Sequence, residues 1–439
     1  MSTTTVSAAN WMEGIDSSTP ISKLSIPGTH ESCALYGGGK SQCQWFGITD
    51  QLRRGVRFLD IRCVHSYGSQ GTKELPVYHG DLYEWTNFQE VQEECARFLK
   101  AHPNEVILMN IQREEPAGLR SRSADEFCAM FKSLMDSQYW ATPDHIPTLG
   151  EYKGKIILVR TPWDPAEQEG WPETAPSGPL GLKWNGFNIN GYSQNQLFET
   201  QNGWDAAPIG DSDAGKEAAV KATLLDAYGG TKSPGKIYLN FLSRAAGAYV
   251  GTAAQDINNW VLHYLERNLT GTGQRLGVLA MDFVGNTGWT GSLEDQIIRR
   301  NTFKPGYSFS YPVSPFKIEI TDPNQPGKSW YMIKGQHDWA VARDFSDKIP
   351  TSDEPIVFEL YPDDGEDFYK VRDERSYLSV SGGGQVGLYS WTGRSVFTPQ
   401  GPALWSHYAK HPMRMNASNE LWCVPASGGR LVDVTFVPA

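Results

Sequence analysis

The sequence predicts a TIM-type (β/α)8 barrel, allowing for distortion, over residues 1–309, followed by a smaller all-β domain over residues 310–439. Three observations lead to that expectation. Eight short, β-rich apolar runs recur between residues 24 and 284, and helical or loop segments separate most of them. From about residue 310 the helical patterns vanish, and a segment of about 40 residues repeats three times. A length of 439 residues leaves room for one barrel of about 250–300 residues and an appendage.

The candidate strands are 24–27 (LSIP), 56–62 (VRFLDIR), 76–79 (PVYH), 105–111 (EVILMNI), 155–160 (KIILVR), 186–190 (GFNIN), 236–242 (KIYLNFL) and 276–283 (LGVLAMDF). Runs such as VILMNI and IILV are apolar at consecutive positions, the pattern of a strand covered on both faces in a parallel sheet. Helices must then cover the outside. Residues 87–101 place Phe88, Val91, Cys95, Phe98 and Leu99 at helical spacing behind Asn87 as N-cap. Residues 123–136 repeat the design, with Ser123 three residues before Glu126 as a capping box. Within residues 1–309 no GxGxxG or P-loop points to an open doubly wound sheet.

Chemistry in such barrels collects at the C-terminal ends of the strands. Almost every run here ends in polar or charged groups: Thr29, His30 and Glu31; Asp60 and Arg62; His79; Gln112 and Arg113; Arg160; Asn190 and Tyr192; Asn240 and Ser243; Asp282. Singly, each suits an ordinary role as a cap, an ion pair or a satisfied histidine. Eight runs ending this way are hard to obtain by chance.

Composition narrows the partners. A net charge of -11 argues against nucleic acid and strongly anionic membranes as bulk electrostatic partners. No stretch approaches the roughly 20 apolar residues of a membrane span, and the opening MSTTTVSAANWMEG carries no signal-peptide pattern. The six cysteines show no zinc-ligand spacing. Cys33 and Cys43 are placed to close a short loop under oxidising conditions, with buried thiols as the other reading.

In the C-terminal part, Tyr331 through Val341, Tyr369 through Val380 and Met413 through Val424 start 38 and 44 residues apart. Three copies of one unit suggest a β-trefoil, with a β-sandwich as the alternative. Such repeats act mainly as scaffold; a carbohydrate or lipid partner for residues 310–439 is the other expectation.

The segments SIPGTHES and VYHGD each set a histidine just beyond a short strand, and a pair of imidazoles suits a general base and a general acid near neutral pH. Asp60 and Arg62 alternate along RFLDIR onto one side of a strand, and an arginine fork steadied by a carboxylate fits a phosphate. At this point SIPGTHES, GVRFLDIRC, VYHGDLY, EVILMNIQREE, KIYLNFLS and LAMDFVG together resemble the phosphatidylinositol-specific phospholipase C family, in its metal-independent bacterial and fungal form, over about residues 12–300.

The resemblance implies that the inositol 2-hydroxyl attacks phosphorus, releasing diacylglycerol and inositol 1,2-cyclic phosphate. It implies His30 as base, His79 as acid, Asp282 as the group orienting His30, Arg62 as phosphate ligand and Asp60 as its support. Glu31 stands where bacterial relatives usually carry Asp, as the group assisting His79. Arg113, Arg160, Asn190 and Tyr192 fall where the family binds the inositol ring, Asn190 again replacing an Asp.

Calcium-dependent relatives carry an acidic residue at the position of Arg62, so no calcium or other cofactor is expected. The implied substrate is phosphatidylinositol or a glycosylated inositol lipid, met by transient peripheral contact. An enzyme of this kind is more often exported, which favours an extracellular location. Trp45, Phe46 and Trp289 are candidates for touching the lipid, or else for packing the barrel mouth. The rival functions are a metal-dependent glycerophosphodiesterase or sphingomyelinase D type of enzyme, with His30, Glu31 and Asp60 as ligands, and a non-catalytic lipid- or sugar-binding protein.

Overall fold

The structure, a computed structural model, describes residues 4–67, 75–160, 182–183, 192–194, 197–203, 213–244, 249–271, 273–285, 293–309, 316–325, 328–344, 355–363, 366–371, 376–390, 397–400, 403–406, 408–425 and 429–438. Two compact units emerge, Met1–Ser310 and Tyr311–Ala439.

The first unit is mixed α/β around one curled sheet. Among the described residues, eight parallel strands trace the curl in chain order, Ser25–Thr29, Phe58–Cys63, Val106–Arg113, Lys155–Arg160, Leu182–Lys183, Phe198–Gln201, Ile237–Phe241 and Gly277–Met281, and the two-residue strand Trp140–Ala141 also pairs parallel with the fourth. Strands one to five pair in succession, and strands six, seven and eight pair in turn, with strand eight returning to strand one. Among the described residues no ladder joins strand five to strand six, which pairs antiparallel with Tyr192–Gln194. The described sheet therefore curls like a barrel and stays open on one side.

Two assignments change. The run 76–79 is no barrel strand: Pro76–His79 forms an antiparallel hairpin with Leu82–Asn87 that leans on the end of strand two. The Gly80–Asp81 turn explains this, because only a tight reversal follows His79 where a crossover helix was needed. Phe198–Gln201, whose run is too short and polar to signal a buried strand, takes its place in the sheet. The expected strand 186–190 lies outside the described residues.

Side chains alternate between two layers. Leu59, Ile61 and Cys63 of strand two face the helices, in one cluster with Val91, Cys95, Phe127 and Ile257. Phe58, Leu108, Val159, Leu239 and Val278 fill the inside of the curl. Gly28 is required there, since a Cβ would stand 3.0 Å from Phe58 Cβ. Helix Phe88–Ala101 begins as expected, Asn87 accepting from the Glu90 amide at 3.1 Å, and Ser123 caps Ala124–Leu134 in the same way. All six cysteines are buried free thiols, so the Cys33–Cys43 closure is not formed.

The second unit holds antiparallel sheets. Three hairpins, Ser329–Lys334 with Ala340–Asp344, Tyr377–Val380 with Val386–Tyr389, and His411–Met415 with Leu421–Cys423, meet pairwise through the bridges Trp339 to Gly387, Val341 to Glu420 and Gln385 to Trp422.

Candidate active site

The register of the sheet assembles the site. Met281 pairs with Thr29 across strands eight and one, so the next residues, Asp282 and His30, leave neighbouring strand ends together. Their side chains meet with His30 Nδ1 2.7 Å from Asp282 Oδ1. The residue after each, Glu31 at φ 43° and Phe283 at φ 47°, occupies the left-handed region that few non-glycine residues adopt. Such strain persists only where surrounding bonds over-determine it. Here Phe283 N donates to Cys43 O at 2.7 Å, and the Gln44 amide donates to both His30 O and Met281 O at 2.9 Å.

On strand two, Phe58, Asp60 and Arg62 share the inward phase. Arg62 bridges three partners: Nη1 lies 2.6 Å from Glu31 Oε1, and Nη2 lies 3.3 Å from Asp60 Oδ2 and 3.0 Å from His30 Nε2. Asn110, opposite Asp60 in the register, donates to Asp60 Oδ1 at 2.8 Å. The buried Nε of Arg62 has no hydrogen-bond partner among the described residues.

His79 comes from the hairpin. Its Nδ1 stands 2.7 Å from the Ser41 carbonyl, so that nitrogen carries the proton, and Nε2 faces Glu31 Oε1 at 3.7 Å. By the same reasoning the Asp282 carboxylate holds the neutral His30 proton on Nδ1, leaving Nε2 as a proton acceptor.

Burial and charge set the protonation states. Burial drives the Glu31 carboxyl well up, against the pull of Arg62. Burial also works against the Asp60 charge, but Arg62, His30 and the Asn110 amide outweigh it and hold Asp60 below the usual carboxylate range. Burial works against the Arg62 charge as well, but Glu31 and Asp60 outweigh it and raise the guanidinium above its ordinary range, so it stays charged.

Burial first, then Arg62 and His30, push His79 down to about 4. Between the unshifted value of 6.5 and about 4 the unfolded chain takes up a proton that the folded one refuses. The stability His79 contributes is therefore full above 6.5 and is lost as pH falls toward 4. An NMR titration of the free protein should find the His79 ring titrating near 4. An ordinary imidazole midpoint would contradict this environment.

His30, Glu31, Asp60, Arg62, His79 and Asp282 are thus one connected cluster. The other expected residues take different positions. Arg113 pairs in register with Cys63, whose side chain faces the helices, and its guanidinium donates to Arg122 O at 2.7 Å. Arg160 pairs with Ile111, in the same helix-facing layer. The backbone of Tyr192 lies in the strand beside Phe198–Gln201, while Asn190 and Trp289 fall outside the described residues.

Phe46 is buried under the Arg54 guanidinium, 4.2 Å from its ring, and so packs the mouth, whereas Trp45 packs on Phe283 at 4.9 Å and stays half-buried. The exposed aromatics are others. Trp85, 72% exposed, continues a ladder through Tyr83 to Tyr78, the residue before His79. Tyr36 is also exposed, and the Tyr36 and Leu35 amides both donate to Glu84 of the same hairpin. Alternation along LYEWTN was the available signal. The cross-links Gln44, Asn110 and Cys43 carried none, because each matters only through what the fold sets beside it.

Residues 17–162 match the family model described as phosphatidylinositol-specific phospholipase C, X domain. A 1-phosphatidylinositol phosphodiesterase of Listeria monocytogenes is 26% identical over 295 residues, 63% of this chain and 82% of that protein. One of Staphylococcus aureus is 26% identical over 310 residues, 65% and 91% of the two chains. A solved S. aureus phosphatidylinositol-specific phospholipase C is similar at a TM-score of 0.56 with 26% identity, covering 68% of this chain and 98% of that one. The Listeria monocytogenes enzyme shares the fold at a TM-score of 0.51 and 24% identity, over 68% of this chain and all (100%) of the other.

Proposed function

The chain belongs to the phosphatidylinositol-specific phospholipase C family, and on that premise we propose that it cleaves phosphatidylinositol to diacylglycerol and inositol 1,2-cyclic phosphate without a metal ion. The observation that carries this reading is the arrangement of Arg62 between His30 and Glu31, with Asp60 behind it and His79 on the far side of Glu31.

In the proposed reaction the inositol 2-hydroxyl approaches His30 Nε2, displacing the Arg62 contact, and gives up its proton there as its oxygen bonds to phosphorus. The imidazolium that forms is stabilised by Asp282. Protonated His79 delivers its proton to the glycerol oxygen as the phosphorus–oxygen bond breaks. Arg62 moves its donors, including the unpartnered Nε, to the non-bridging oxygens where charge accumulates. The nucleophile is carried by the substrate, and well-oriented intramolecular attack is worth up to roughly 7–11 kcal/mol.

His79 must be charged to act as an acid, yet the free protein holds it neutral until about 4. The bound phosphodiester anion supplies the missing negative charge, so His79 becomes protonated in the substrate complex. The coupling favours productive binding of anions.

Metal independence is supported by charge placement. The guanidinium sits where a divalent ion would neutralise Glu31 and Asp60, and it repels a cation from that pair. The test is phosphorus NMR of the products from phosphatidylinositol vesicles in excess EDTA. A cyclic phosphate is expected first; phosphatidic acid, or activity abolished by chelator, overturns the proposal.

No helix among the described residues is long and apolar enough to cross a membrane, so lipid contact falls to the surface. One solved S. aureus relative was studied for modulation of its membrane binding. For this chain we assign that contact to Trp85 and Tyr36 beside the His79 hairpin. Burying one large aromatic is worth about 1.5–3 kcal/mol, so Trp85→Ala should weaken vesicle partitioning about tenfold or more. Turnover of water-soluble inositol cyclic phosphate should not change. Unaltered partitioning removes Trp85 from the contact.

The finer architecture belongs to the same reading. The curled sheet is a distorted (β/α)8 barrel, its strands five and six unjoined among the described residues. The pairwise bridges among three hairpins support a β-trefoil for residues 311–439. A secreted location fits an enzyme that meets its lipid from outside.

A further inference from the structure

We propose that the catalytic cluster is also a binding site for a soft divalent cation of the zinc, cobalt or cadmium class, held by His30, Cys43 and Asp282, and that occupancy switches the enzyme off. Ligand atoms of these three residues lie within 4.8 Å of one another. Cys43 Sγ also stands 3.9 Å from Nδ1 of His79, so the thiol sits between the two imidazoles.

The donor chemistry selects the ion. One thiolate, one imidazole and one carboxylate form the set that zinc takes at about 2.0–2.3 Å, leaving a fourth position for water. At those bond lengths ligand atoms around a tetrahedral ion stand roughly 3.5 Å apart, so the widest pair must close by about 1 Å. Side-chain rotation suffices for this, because the backbone of Cys43 is already fixed by bonds to Ala34 O and from Phe283 N. Calcium and magnesium require several oxygen ligands, and this trio offers one carboxylate.

The charge distribution divides the cluster. Arg62 compensates Glu31 and Asp60 on one side, whereas Asp282 has His30 as its partner on the other. A cation therefore enters on the Asp282 side. Burial together with Asp282 and Glu31 keeps the Cys43 thiol protonated in the absence of metal. Binding breaks the S–H bond as the metal–sulfur bond forms, and the proton leaves to solvent with no change of oxidation state. Access follows from the histidines, whose side chains remain 13% and 24% exposed.

The inhibitory consequence rests on the proposed phospholipase reading; the binding itself does not. Capture of Asp282 and a nitrogen of His30 removes the base from the reaction. Cobalt(II) added to the full-length protein should produce a thiolate-to-cobalt charge-transfer band, absent in Cys43→Ser. Cadmium should inhibit the wild type at a concentration about 100-fold lower than it inhibits Cys43→Ser, each measured against its own metal-free rate, and EDTA should restore activity.

Magnesium and calcium should leave both unaffected. A wild-type cobalt complex without a thiolate band overturns the site whether or not the variant folds. Equal cadmium sensitivity of the two proteins overturns the switch. A thiolate band in a protein that does not cleave phosphatidylinositol keeps the metal site and rejects the phospholipase reading alone.

Discussion

His30→Ala lowers the turnover of phosphatidylinositol by roughly 10³- to 10⁴-fold, at the upper end of what one positioned acid or base supplies. The chain stays folded, because the strand register and the Gln44 cross-link that shape this turn use main-chain atoms of His30. His79→Ala should lose a similar factor, and the double variant little more than either single one, since in the proposed reaction the two rings act as one unit.

The measurement is initial rate on phosphatidylinositol vesicles with EDTA present, beside a thermal unfolding curve for each variant. Near-normal rates in a folded His30→Ala protein would discard the assignment of base and acid. A loss of activity accompanied by unfolding would place the residue in the scaffold.

Arg62→Lys lowers kcat by about 10²- to 10³-fold while preserving the formal charge, the range seen when one preorganised donor to a developing oxyanion is lost. The native guanidinium reaches Glu31, Asp60 and His30 at once through two terminal nitrogens, a geometry that one ammonium nitrogen cannot reproduce. Keeping a positive charge there also keeps the two buried carboxylates from being left unpaired, which for a removed partner costs about 3–5 kcal/mol. Lysine is therefore the informative substitution, and Arg62→Ala would mix stability with catalysis. Steady-state kinetics in detergent–lipid micelles should show the fall in kcat exceeding any change in KM. A change confined to KM would mean that Arg62 holds the ground state only.

Much of this site was legible in one dimension because it lies on strand ends. His30, Asp60, Arg62 and Asp282 stand within or just beyond runs whose apolar pattern marks buried parallel strands, and strand alternation assigns Asp60 and Arg62 to one face. His79 was legible for a different reason than expected. Its run is a hairpin arm, and the histidine still arrives at the rim because the hairpin folds back from the end of strand two.

Arg113 and Arg160 show where the same logic slips. Each ends a genuine strand, but each is in the phase of the helix-facing residues Cys63 and Ile111. A shift of one residue in where a strand is judged to end reverses the face. Phe46 follows the second of its two readings: a large aromatic in a rim loop reads the same whether it meets lipid or a guanidinium, and here Arg54 covers it.

By itself the amino-acid order determined much of the strand and helix alternation, the helix caps at Asn87 and Ser123, the helix-poor second half and the histidines and arginine placed at strand ends. These depend on periodicity, local backbone preference and residue chemistry, all of which act over a few positions. Only the folded chain decided that strand eight returns to strand one, that Phe198–Gln201 joins the sheet, and that a thiol from residue 43 stands between two imidazoles. Those are contacts between residues tens to hundreds of positions apart, set by register and close packing, and no local pattern encodes a distance that the intervening chain must first fold to create.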